Sequence, residues 1–176
     1  MPNNNVLRGN NAVLTLAAID QPAGQLAQQI FDTEYSITTV GRCTGVEVHV
    51  TTDLEVFHEI GTRMPADIAP GNVNICGSAD RAFVNGALIR LLLGKLATGD
   101  QNQNADFHDE LQPKFNMLLT LGANRPGEGV TVTLFDVHFD DWSLVVPEDQ
   151  FVMEKVTFKA LRVERTEFIS LSPVVV

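Results

Sequence analysis

Residues 53–94 read DLEVFHEIGTRMPADIAPGNVNICGSADRAFVNGALIRLLLG, and three successive patterns in them decide the fold class. The segment from Asp53 to Asn72 is punctuated by Gly61, Pro65, Pro70 and Gly71. Proline offers no N–H to a ladder and glycine weakens a strand interior, so this segment is expected to leave the sheet as a long loop. Val73, Ile75 and Gly77 then alternate with Asn74, Cys76 and Ser78, the two-residue period of a half-buried strand. From Ala82 to Leu93, Phe83, Ala87, Leu88, Leu91 and Leu92 fall at helical spacing, and Gly94 supplies a stop.

The flanks carry mostly β patterns. Upstream, a polar start precedes the strand-length apolar run Ala12 to Ile19, and Gln21 to Phe31 reads as a loop with one helical turn. Residues 1–35 are therefore expected to form an N-terminal arm. Ile37 to Val40 begin a β signal that strengthens where Val46, Val48 and Val50 alternate with Glu47, His49 and Thr51. Downstream, Ala97 to Glu110 is a polar, acidic loop, and Phe115–Leu121, Val130–Phe139 and Val152–Glu164 are strand candidates. The apolar phase slips between Leu134 and Phe135, as a bulge or bend requires. These elements predict a mainly β protein: one domain spanning 1–176, an antiparallel β-sandwich or barrel with one short α-helix.

With 12 basic against 22 acidic residues the formal charge is −10, which repels nucleic-acid phosphates rather than gripping them. No run of eighteen apolar residues suggests a membrane span and no leader pattern opens the chain, so a cytoplasmic protein is expected. Cys43 and Cys76 lack metal-type spacing and are expected to stay reduced there, with a disulfide forming only under oxidising conditions. Asp136, His138 and Asp140 are ligand-type residues about 7 Å apart in succession along a strand. Without a fourth ligand nearby they read as a solvated acidic face, so no metal is expected. The scattered His49, His58 and His108 read as surface histidines. No nucleophile elbow, zinc-protease helix or phosphate loop occurs. Neither enzyme chemistry nor a cofactor is expected.

Glu59-Ile60-Gly61-Thr62-Arg63-Met64-Pro65, Gly77-Ser78-Ala79-Asp80-Arg81-Ala82-Phe83 and Leu92-Leu93-Gly94 together resemble a block of phage tail tube proteins, and Trp142 to Val163 is similar to the closing strands of that family. The resemblance implies hexameric rings whose inner sheets join into one continuous β-barrel, stacked into a conduit through which phage DNA passes without specific binding. It implies a virion tail location after assembly in the host cytoplasm, and tail sheath, baseplate and terminator proteins as further partners. It also maps an inter-subunit loop onto residues 53–72.

The polar side of the strand around Val48 supplies candidate lumen residues Glu47, His49, Thr51 and Asp53, with Asp80, Asp136, Asp140 and Asp141 as weaker ones. Candidate inter-subunit residues are Phe57, Ile60, Arg63, Met64, Ile68, Arg81 and the apolar end Val174, Val175 and Val176. Ala12 to Ile19 and Pro173 to Val176 are expected to need partners, at least one of them on an adjacent copy. Two alternatives stand beside this reading. One is the inner tube of a secretion-type injection machine, and the other is a monomeric acidic β-sandwich that binds a ligand or metal.

Overall fold

The computed structural model describes residues 9, 12–19, 25, 27, 30, 40, 42–94, 112–122 and 128–169. The expected strand near Ile37, the loop from Ala97 to Glu110 and the apolar end Val174 to Val176 lie outside the described residues. Seven strands and one fully described helix follow one another as β1 (Ala12–Ala18), β2 (Cys43–Phe57), β3 (Asp67–Ala82), α1 (Ala87–Leu93), β4 (Phe115–Gly122), β5 (Glu128–Val145), β6 (Met153–Ala160) and β7 (Arg162–Ile169). All pairings are antiparallel, in the order β1-β4-β5-β6-β3-β2 with β7 also on β5. The mainly β architecture read from the sequence is what the chain adopts, as a single sheet curled into a half-barrel.

One strand organises the curl. The first part of β5 pairs with β7 up to Phe135 and with β4 up to Val137, and its last part, His138 to Val145, pairs with β6. Just before the change of partner, Asp136 takes a positive φ of 52°, a left-handed conformation that an aspartate tolerates better than most side chains. Opposite this bend β6 ends and β7 begins, with Leu161 N–H donating to the Phe135 carbonyl at 3.0 Å. The predicted strand over Val152 to Glu164 is thus two strands broken at Leu161. The predicted Val130 to Phe139 strand is longer at both ends, and its phase slip marks the place where it changes partners.

The folded sheet closes over an apolar core. Phe115 and Phe139 meet edge to face at 4.9 Å, and Leu14, Met117, Leu134 and Phe158 fill the same space. β1 pairs fully with β4 and buries Leu14 and Leu16. The run from Ala12 therefore has its partner within the chain, and of the two ends expected to need partners only the one from Pro173 to Val176, outside the described residues, is left for an adjacent copy. α1 buries Ala87, Leu88 and Leu91 and ends at Gly94, with φ 56°. It begins five residues later than the helical spacing predicts, because β3 continues through Ala82 and Phe83 N–H bonds the Val152 carbonyl. Phe83, read as helix core, is exposed.

The segment from Asp53 to Asn72 is not a loop. β2 and β3 stay paired out to Phe57 and Asp67, so a hairpin projects from the body with residues 58–66 at its tip. Pro70 is accommodated because β6 stops pairing with β3 at Ile75. Beyond that point β3 has a neighbour on one side only, and a missing N–H is tolerated on such an edge. The register slips between Thr52 and Leu54, opposite Gly71, which absorbs the irregularity. At the tip Gly61 has φ 92°, which favours glycine, and Thr62 donates to the carbonyls of Glu59 and Met64.

Candidate functional site

The half of the sheet ordered β2-β3-β6-β5 has two dissimilar faces. Val46 and Val48 of β2, Ala79 of β3 and Val156 and Phe158 of β6 turn to the core. Register places the alternate residues side by side on the other face. Glu47, Ser78, Thr157 and Asp141 form one row across the strands, and His49, Cys76, Lys159 and His138 form the next. Asp80 and Lys155 pair nearer the base at 3.8 Å, and Lys159 approaches the bulged Asp140 at 3.4 Å. Asp140 also accepts from the Thr157 hydroxyl. The face thus carries the carboxylates of Glu47, Asp80, Asp140 and Asp141 against the ammonium groups of Lys155 and Lys159. Its balance is acidic, with the two lysines held between strands by their carboxylate neighbours.

Three of the sequence-predicted lumen residues, Glu47, His49 and Thr51, share this face by register and are exposed. Glu47 and His49 also approach each other at 3.7 Å. Asp53 lies farther out, at the register slip in the projecting hairpin. Asp80, Asp140 and Asp141 join the face, whereas Asp136 sits in the bend of β5, beside Lys114, His138 and Lys159 in a recess of about 460 Å³. Two lysines oppose a cation there, and no group of three or more His, Cys, Asp or Glu placed to hold a metal occurs among the described residues.

Both long edges of this half-sheet are open. β2 pairs only with β3, and the part of β5 from His138 to Val145 pairs only with β6, among the described residues. Such edges present unpaired N–H and C=O groups and are templates for another strand.

The projecting hairpin carries the core face outward with no described residue packed over it. Val50 faces Ile75, Thr52 faces Val73, Leu54 faces Pro70 and Val56 faces Ile68, and Leu54 is 63% and Val73 59% exposed. Phe57, Ile60, Arg63, Met64 and Ile68, expected at an interface, are all exposed on this hairpin. Arg81, expected with them, is instead buried inside the chain. Its Nε donates to Glu154 Oε1 at 2.5 Å and its Nη2 to Asn85. Trp142 Nε1 donates to the second Glu154 oxygen at 2.9 Å. Removing one member of such a buried pair leaves the other charge unpaired, a loss of about 3–5 kcal/mol. Sequence reasoning missed Glu154 because it sits in an alternating strand with nothing to mark it as buried.

The cysteines are free and stand apart. Cys43 lies opposite Arg81 and Cys76 opposite His49, a separation along the ladder of roughly 17–20 Å, so the disulfide within one chain is excluded. Burial pushes the Cys43 thiol up, and the Asp80 carboxylate adds to this against the opposing Gly45 hydrogen bond and Arg81 charge. The Gly45 and Asp80 carbonyl oxygens lie 3.4 and 3.3 Å from its sulfur, alternative acceptors for the single thiol proton. In the folded protein at pH 7.5 a maleimide is expected to modify Cys76, on the polar face, well before Cys43. Cys43 labelling should accelerate only as the pH climbs above the ordinary thiol range. Peptide mass mapping over time checks this, and equal rates at the two sites under native conditions contradict it.

No protein-family model and no curated protein matches this sequence. Solved structures do match its fold. A chain of the sheath–tube complex of PVC, an extracellular contractile injection system, superposes with a TM-score of 0.61 at 10% identity, over 94% of each chain. The SPP1 tail tube gives 0.57 at 12% identity, over 92% of this chain and 80% of that one. A chain of the gene transfer agent virion gives 0.51 at 8% identity, over 92% and 99%. The chain has the tail tube fold. Within that fold the curled sheet, the open edges and the projecting hairpin all belong to a single chain, and the motif blocks around Arg63 and Arg81 lie on the hairpin tip and at the end of β3.

Proposed function

We propose that this chain is the structural subunit of a tail tube. Copies close into a hexameric ring by pairing the open edge of β2 with the open end of β5 on a neighbour, and rings stack into a conduit. The half-sheets then form one continuous β-barrel without free edges. The observation that carries the reading is the β2-β3-β6-β5 half-sheet itself, with two open edges, one face on the core and a polar, net acidic face turned to solvent. Turned to the lumen, Glu47, His49, Thr51, Asp140 and Asp141 line the channel, while Asp53 lies beyond it on the hairpin. An acidic wall repels phosphates, so DNA passes without adhering. The hairpin apolar face is covered by a neighbouring copy, and sheath, baseplate and terminator proteins are the further partners of such a tube in a virion tail.

The test is assembly with its edge contact trapped. Concentrated wild-type protein should give hollow tubes under negative stain. In a background with Cys43 and Cys76 replaced by serine, Glu47→Cys combined in turn with Asp141→Cys and Ser143→Cys places thiols on the same face near opposite edges. Mild oxidation should produce a ladder of covalent multimers ending at the ring size. Tubes with no cross-linked species from either pair reject edge-to-edge closure, and a protein that stays monomeric at high concentration rejects the tube reading.

A further inference from the structure

The two rows that cross the polar face differ in charge. Glu47, Ser78, Thr157 and Asp141 include two carboxylates, whereas His49, Cys76, Lys159 and His138 include none. Residues set opposite each other on neighbouring strands hold their Cβ atoms about 4.5–5.5 Å apart. The second row is therefore a band of two imidazoles, a thiol and an ammonium across all four strands. At its β5 end it opens into the recess of about 460 Å³, where Lys114 joins His138 and Lys159, and Ala160 and Leu161 complete the wall. Lys114 and His138 are half-buried there. On the side towards the hairpin the next pair, Thr51 and Asn74, is uncharged.

We infer that this band is a phosphate-binding site that fills when its two histidines are protonated. The charges around it decide both the ligand and the condition. Among the described residues the carboxylates that face it are Glu47, 3.7 Å from His49, Asp140, 3.4 Å from Lys159, Asp141 in the adjoining row and Asp136 in the recess. Asp80 and Lys155 lie a row farther off and pair with each other at 3.8 Å. Lys114 and Lys159 are the fixed cations, so with neutral imidazoles the surroundings are acidic and an anion is repelled. Histidine is the side chain that ordinarily takes up its charge between pH 8 and 5. Protonation of His49 and His138 sets four cations against the four carboxylates and makes three of the four row positions positive. Lys114, Lys159 and a protonated His138 then line one recess as charged N–H donors, the partners that phosphate oxygens accept most strongly. The inference deepens the reading of this face as the channel wall and rests on that reading only for the site's place in a tube, since the band lies within one chain.

The test uses the full chain below the concentration at which tubes form, titrated against a rhodamine-labelled short oligothymidylate and followed by fluorescence anisotropy. Binding is expected at pH 5.5. It should weaken at least about tenfold at pH 7.5, and by a similar factor at pH 5.5 when salt rises from about 50 to 200 mM, as contacts to two or three phosphates require. His49→Asn/His138→Asn and, separately, Lys114→Gln/Lys159→Gln, each first checked for unchanged thermal melting, should lose the acid binding to the same extent. His58→Asn, outside the band, should keep it. His49→Lys/His138→Lys should bind at pH 7.5 as the wild type does in acid, a gain that histidines with a merely structural role would not give. Inorganic phosphate separates two sources of the ligand. Displacement of the oligonucleotide by it assigns the recess to a single phosphate group, and binding that it does not displace assigns the row to several phosphates of one backbone. No binding at pH 5.5, or equal binding by the asparagine variant, overturns the site and leaves the tube reading to be judged by negative stain. A chain that binds in acid but never forms tubes keeps the site and overturns the tube reading.

Discussion

Gly77→Ala is expected to destabilise the fold strongly. A Cβ at this position falls 2.5 Å from Phe158 Cζ and closer still to the Glu47 carbonyl oxygen. Phe158 lies directly across β3 from Gly77, fully buried in the core, so its ring crosses the bare glycine. A clash with a side-chain tip can relax by rotation, but one with a neighbouring strand's main chain forces the ladder apart. Overpacking of this kind costs about 1–3 kcal/mol and sometimes more, and the backbone collision puts Gly77→Ala at or above the upper figure. For a chain of this size about 3 kcal/mol lowers the melting temperature by about 6–12 °C. Thermal and urea unfolding measure it. Adding Phe158→Leu should not rescue the variant, since it leaves the Glu47 oxygen in place. A Gly77→Ala protein that melts within two or so degrees of wild type would show that β2 can move away freely, against the tight pairing described.

The second large effect is on assembly. Removing the hairpin beyond Thr51 and Asn74 and closing it with a two-residue glycine-containing turn should leave the body folded and abolish tubes. The residues removed contribute nothing to the buried core, which ends with Val48, Ile75 and their neighbours, so melting should change little. What disappears is the exposed apolar strip of Leu54, Val56, Ile68 and Val73 with the tip beyond it. A trimmed chain that still forms tubes at the wild-type concentration would remove the hairpin from any part in assembly. One that fails to fold would show that the strip packs on its own body.

Much of this was legible in the sequence because period-two alternation survives wherever one face is buried. Val46 to Val50, Val73 to Gly77 and Phe115 to Leu121 announce their strands in that way, and the phase slip at Phe135 marks the bend. The hairpin was misread for a physical reason. Pro70 and Gly71 argue against a strand with neighbours on both sides, whereas here β3 has outrun β6 and needs no second set of bonds. Leu54, Val56 and Ile68, interspersed among those breakers, are one face of a ladder. The polar-face residues Glu47, His49 and Thr51 followed from alternation alone, but their alignment with Asp141, Lys159 and His138 depends on strand order, which no local pattern encodes. Arg81 shows the same limit: its charge suggests a surface role, and only the register that sets Glu154 opposite it makes it an interior ion pair.

The bend at Asp136 has a mechanical consequence. β5 passes through it from one half of the curled sheet to the other, and the β6–β7 chain makes the same passage at Leu161, the two crossings tied by the Leu161–Phe135 hydrogen bond. At this line the halves are therefore joined by two continuous strands and not by side-chain contact alone. A force that pulls them apart is taken up as tension along covalent backbone, and a force that slides one over the other must shear whole ladders of hydrogen bonds at once. A wall made of such units resists peeling between its inner and outer layers, and its compliance is concentrated in the thin hinge line running from Phe135 to Leu161.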